Sequence, residues 1–133
     1  MKIRILIAFI SVLSVSLIVS CSGSKEKKIA GTWKVEDVRF ESEKPMDPAR
    51  VESSKQMAKS VSYELMKDKT AKIHAGTTVL EGNWTYKEAE AGVYMAFKGS
   101  FDTVLLGRYE NGKLINEATR ANMKIITIFA RED

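Results

Sequence analysis

Cysteine, histidine and proline are nearly absent from this 133-residue chain, which holds one cysteine, one histidine and two prolines. The cysteine is Cys21, and with none after it an intrachain disulfide or a site of several thiolates is excluded. The histidine, His74, has no partner histidine at ligand spacing. It specifies neither a zinc site nor a nucleophile–base triad and reads as a solvent-facing or hydrogen-bonded structural residue. The acidic cluster Glu36, Asp37, Glu41 and Glu43 lacks the glycine-punctuated loop of a calcium site and reads as surface charge. No grouping of nucleophile and base is visible, so neither enzymatic activity nor a cofactor is expected. No basic stripe with interleaved aromatics is present either, which argues against nucleic acid as a partner.

What is present begins at the N-terminus. Lys2 and Arg4 precede the predominantly apolar run Ile5 to Val19, and Ile18-Val19-Ser20 leads into Cys21. The run is shorter than the roughly 20 residues needed to cross a bilayer as a helix and matches the apolar region of a cleaved leader. The order resembles a bacterial lipoprotein signal peptide, with Ile18 and Ser20 in the lipobox positions before the cysteine. The resemblance implies removal of residues 1–20 and acylation of Cys21, hence a membrane partner through that residue. Several long acyl chains, at about 0.8 kcal/mol per buried methylene, make such an anchor permanent. Ser22 rather than Asp after the cysteine implies an outer membrane, and the basic stretch 22–28 a periplasm-facing position. Residues 21–28 read as a flexible lipidated tether. Loss of the leader takes Lys2 and Arg4 from the 21 basic residues and none of the 17 acidic ones, leaving a net charge of +2.

Residues 29–133 suit one domain with a single small core. Their dominant pattern has a period of two, the mark of half-buried strands. Ile29, Gly31, Trp33 and Val35 share one parity and Val38 and Phe40 the other, which predicts a bulge near Glu36-Asp37 in a long first strand. Asp47 as N-cap with Pro48 at the first helical position predicts a helix to about Ser60, with Val51, Ser54, Ala58 and Val61 on one stripe and Met57 beside it. Short strands then recur: around Tyr63 and Leu65, Ala71 and Ile73, Leu80 to Tyr86, Val93 to Phe97, Phe101 to Tyr109, Lys113 to Ala118, and Met123 to Arg131. Asn111-Gly112 marks a tight hairpin. The expectation is an all-β fold of about eight strands in an antiparallel up-and-down meander with one short helix between strands 1 and 2. Closure into a barrel would remove the edges, although periodicity alone does not separate a barrel from an open sandwich.

The Gly31-Thr32-Trp33 start of such a meander resembles the lipocalin (calycin) superfamily. The likeness is to its short, lipoprotein members of the Bacteroidota type. It is carried further by Gly82-Asn83-Trp84 and by Met123, Ile125, Phe129 and Arg131 of the last strand. The resemblance implies a lipocalin-like barrel, with Trp33 packed at the closed end and Arg131 stacked on it as a structural device built on Gly31. The chain departs from full-length lipocalins in being shorter and in lacking their long C-terminal helix.

Tyr63, Trp84, Tyr86, Met95, Phe97, Leu105, Tyr109 and Phe129 have parities that point inward. They form either a packed core or the lining of a small apolar ligand cavity whose polar handles are the tyrosines and Trp84. Val104, Leu106, Ile126 and Ile128 fall on the opposite face, which needs cover by the helix or a protein partner. Two functions therefore stand side by side: a monomeric envelope barrel that binds a small apolar or amphipathic molecule, and a filled barrel that acts through protein contact as a scaffold or inhibitor.

Overall fold

A computed structural model describes residues 25–132; the expected leader, Cys21 and the tether up to Ser24 lie outside the described residues. Eight strands succeed one another around a closed antiparallel barrel: β1 (Gly31–Ser42), β2 (Val61–Leu65), β3 (Thr70–Ala75), β4 (Thr78–Lys87), β5 (Gly92–Phe97), β6 (Thr103–Glu110), β7 (Lys113–Arg120) and β8 (Met123–Glu132), with β8 paired to β1. The β6–β7 turn places Asn111 at φ 51° and Gly112 at φ 77°, the left-handed pair that a two-residue hairpin requires.

Residues 25–29 form a short helix, α1, where the sequence suggested flexible tether and the start of a strand. Four polar residues conceal it in the sequence, but its last residue, Ile29, is completely buried, and the Ala30 N–H closes the turn on Glu26 O at 2.9 Å. α1 lies at the same end as the β2–β3, β4–β5 and β6–β7 turns. There the Trp33 indole N–H donates to Ile29 O (2.8 Å) and the Trp84 indole N–H to Met66 O (2.8 Å), so both large rings are buried with their polar atoms satisfied. Leu65, Met95, Leu106 and Leu114 pack between them, each contributing roughly 1.5–3 kcal/mol by burial. Every core residue among those described lies between Ile29 and Phe129, and all eight strands lie within Gly31–Glu132, so this segment has the makings of an independently folding unit.

Two bulges set which side chains face inward. In β1 the register against β8 shifts between Val35 and Asp37, leaving Glu36 as the extra residue; Val35 opposite Phe129 and Val38 opposite Thr127 both face the interior. In β6 the register against β5 passes from Val93–Gly107 to Tyr94–Leu105, which makes Leu106 the extra residue. This second bulge reverses the parity expected from the sequence. Leu106 is buried in the core, Leu105 is turned outward and is 43% exposed, and Val104 stands on the interior side opposite Met95. Phe101, expected to open this strand, lies in the preceding loop and is fully exposed.

Helix α2 (Pro48–Lys59) joins β1 to β2. Asp47 caps it through Oδ1, which accepts from the Ala49 N–H at 3.1 Å. The helix packs against β1 and β2 across the open end of the barrel, so it does not cover the outer face of β8; Met57 is 72% exposed.

The ladder is thin at two seams. β1 meets β2 along Gly31–Lys34 and β6 meets β7 along Arg108–Glu110, both near the closed end. Towards the mouth β7 continues beside β8 alone, and the Asn116 side-chain amide bridges to β6 by donating to Leu105 O (3.2 Å) and Leu106 O (3.1 Å).

Candidate binding site at the barrel mouth

The interior divides into a filled half and an uncovered half. At the closed end the space is taken by Trp33, Trp84, Met95 and Phe129; the Tyr63 and Phe129 rings stack at 4.3 Å, and Trp33 meets Tyr109 edge to face at 6.3 Å. Towards the mouth, Leu80 and Val104 stand on the interior side of the sheet, opposite Ile73 and Met95, yet are 44% and 43% exposed. Apolar wall is present there without a core to cover it.

Two hollows lie under α2. The inner one, about 190 Å³, is bounded by Ala58 of the helix, Val61, Tyr63, Asn116, Thr127 and Phe129. Its polar groups are all neutral. Burial pushes the Tyr63 hydroxyl up to about 12, because the phenolate would be stripped of water; the hydroxyl donates weakly to Leu106 O at 3.4 Å. The outer one, about 620 Å³, runs between the N-terminal half of α2, the end of β1 and the β7–β8 turn. Its floor is Phe40, Met46, Val51 and Met123, with Asp47, Arg50 and Ser54 along the helix edge.

Of the inward candidates read from the sequence, Tyr63, Trp84, Met95 and Phe129 are buried, and Tyr86, Phe97 and Tyr109 are packed against them. Leu105 is the exception, displaced outward by the bulge at Leu106. These residues do not share one cavity. Tyr63 and Phe129 border the inner hollow, Trp84 borders a groove beside α1 with Lys69, and Phe97 borders hollows near Gly82 and at the rim. The sequence reading missed Asn116, Phe40 and Met123; each has the inward parity, and an asparagine alternating with Leu114 was a readable sign of a polar group facing the interior.

The motif residues meet at the closed end in an unexpected way. Arg131 is the cross-strand neighbour of Trp33, but its guanidinium donates to Lys28 O at 2.7 Å, and its stem lies over Gly31, where an added Cβ would come within 3.1 Å of Nε. Arg131 thus ties α1 to the barrel instead of stacking on the indole. The cation over an indole is Lys69, 4.1 Å from the Trp84 ring and paired with Glu26. Of the acidic cluster, Glu36 pairs with Lys113 at 3.0 Å and Asp37 with Arg39 at 3.2 Å. His74 Nε2 lies 3.4 Å from Glu64. On the outer face, Ile126 and Ile128 are half-buried; their cross-strand neighbours are Arg39 and Glu117, and Asp37 and Ile115, respectively.

No protein-family model matches the chain, and no curated protein matches it. Among solved structures the chain is similar to a DUF4847 family protein from Bacteroides vulgatus ATCC 8482, with a TM-score of 0.50 and 15% sequence identity over 78% of this chain and 95% of that one. At that identity the likeness bears on the fold alone.

Proposed function

We propose that this protein is a lipid-anchored, non-catalytic, lipocalin-like barrel of the bacterial envelope that holds a small apolar or amphipathic molecule at its mouth. The observation that carries the reading is the contrast between the two ends: a filled base, and a mouth where interior-side Leu80 and Val104 stay exposed and where, on the β1 side, two hollows lie beside α2. Concave apolar surface with a few polar groups is the general form of a small-molecule site. The leader pattern and Cys21 support an acylated anchor, Ser22 supports an outer-membrane position, and the basic stretch 22–28 supports a periplasm-facing one.

Native mass spectrometry of residues 22–133 isolated gently from the native host tests the binding. A reproducible co-purifying small molecule is expected; a clean apo mass under conditions that retain lipids overturns it. Feeding a radiolabelled fatty acid tests the anchor, with label expected on the wild type and abolished by Cys21→Ala. The exposed Phe101, Val79 and Leu80, all on segments at the mouth end of the barrel, support a second reading, in which the rim is a protein-contact surface.

A further inference from the structure

We infer that the groove between α2 and the barrel mouth seats a single-chain amphiphile whose polar end is an anion held by Arg50. The inference rests on the binding function just proposed and adds the site and the charge of the ligand. Its volume of about 620 Å³ is that of a small-molecule pocket, whereas the inner hollow of about 190 Å³ is smaller than most.

The lining is divided by chemistry. Phe40, Met46, Val51 and Met123 form an apolar floor, and the two methionines are unbranched side chains that adapt to an irregular chain. At one edge stands Arg50. It is the one basic residue among those that line the groove, and no carboxylate among the described residues lies within ion-pair distance of it. The one acid in the groove, Asp47, directs Oδ1 to the Ala49 N–H, so it serves the helix. Asp47 stands within one helical turn of Arg50 but makes no ion pair with it, so the Arg50 guanidinium is left as the groove's partner for an anion. A guanidinium beside an apolar wall suits a carboxylate or phosphate, which it can grip with two parallel N–H donors. The neutral inner hollow, bordered by Tyr63, Asn116 and Thr127, offers no such partner.

The test titrates residues 25–133 with sodium dodecanoate, dodecyl phosphate and dodecanol by calorimetry, below their micellar concentrations. Both anions are expected to bind roughly tenfold more tightly than the alcohol, and Arg50→Gln to remove that preference while leaving dodecanol affinity unchanged. Arg50 is exposed, so the variant keeps the fold. Methyl-labelled methionine NMR reports the place, with Met46 and Met123 expected to shift and the core residue Met95 to stay. Equal binding of acid and alcohol, or an unchanged preference in Arg50→Gln, overturns the role of Arg50 and leaves the binding function standing. Shifts at Met95 without Met46 and Met123 overturn the groove as the site. Failure of all three probes to bind overturns the binding function itself.

Discussion

Tyr63 shows how one buried hydroxyl links the core to pH. Its ionisation is displaced upward to about 12 from the ordinary 10, so the folded state favours the protonated ring. That stabilisation is fully present below pH 10, where the unfolded chain also stays protonated, and is lost as pH rises from about 10 to about 12. A shift of this size corresponds to on the order of 2–3 kcal/mol. The denaturation midpoint of the wild type is expected to fall between about pH 9 and about pH 11.5, and that of Tyr63→Phe to fall less; parallel loss in both would assign alkaline unfolding to other groups. Gly82 makes the opposite demand, for space. A Cβ there would lie 2.0 Å from the Ala96 carbonyl oxygen, which the β4–β5 ladder holds in place, and 3.1 Å from the Met95 methyl. Gly82→Ala is expected to cost about 3 kcal/mol, measurable by urea denaturation; a loss below about 0.5 kcal/mol would mean that β4 and β5 move apart there freely.

Among the elements, α2 is the least secured, since none of its residues is fully buried and its first turn depends on Asp47. Asp47→Ala is expected to remove about 1 kcal/mol from the helix. Amide exchange should quicken in α2 with little change in the core strands; equal loss of protection in β5 and β8 would show that the helix is part of the cooperative unit. This helix was legible in the sequence because Asp47 and Pro48 have strong local preferences that no packing overrides. The bulge at Glu36 was legible too, because Trp33 and Val35 change parity with Val38 and Phe40 across polar residues. The bulge in β6 was not: Val104, Leu105 and Leu106 are all apolar, so the run has no parity to read, and the register is set by β5 opposite. For the same reason Leu105 was assigned inward and Leu106 outward. The mouth groove was the least legible part, since Arg50, Met46 and Met123 come together only through tertiary packing.

At the scale of the whole molecule, the short ladders at β1–β2 and β6–β7 divide the barrel into two half-shells joined at the base. Asn116 is the bridge between them on the β6–β7 side. Asn116→Ala is expected to cost about 1 kcal/mol and to speed amide exchange along Thr103–Leu106 while Arg108–Glu110 stay protected; unchanged exchange there would mean that the short ladder alone keeps the shells together. The antiparallel meander and the helix between its first two strands were legible in the short alternating strands and short links, whereas its closure was expected from the removal of exposed edges and the lipocalin resemblance, since a sandwich has the same alternation. The fill of the barrel's two ends was not legible, because alternation marks which side a residue faces but not how far along the barrel it sits. The position of α1 bears on direction. The chain enters at the base, and Arg131 fastens that entry to the last strand. If Cys21 is acylated, only Ser22, Gly23 and Ser24 separate the lipid from α1, a reach of at most about 14 Å counted from Cys21. The barrel would then stand on the bilayer like a cup on its foot, with its mouth turned to the aqueous space, so its cargo would be exchanged with the water side and not drawn directly from the membrane that holds it.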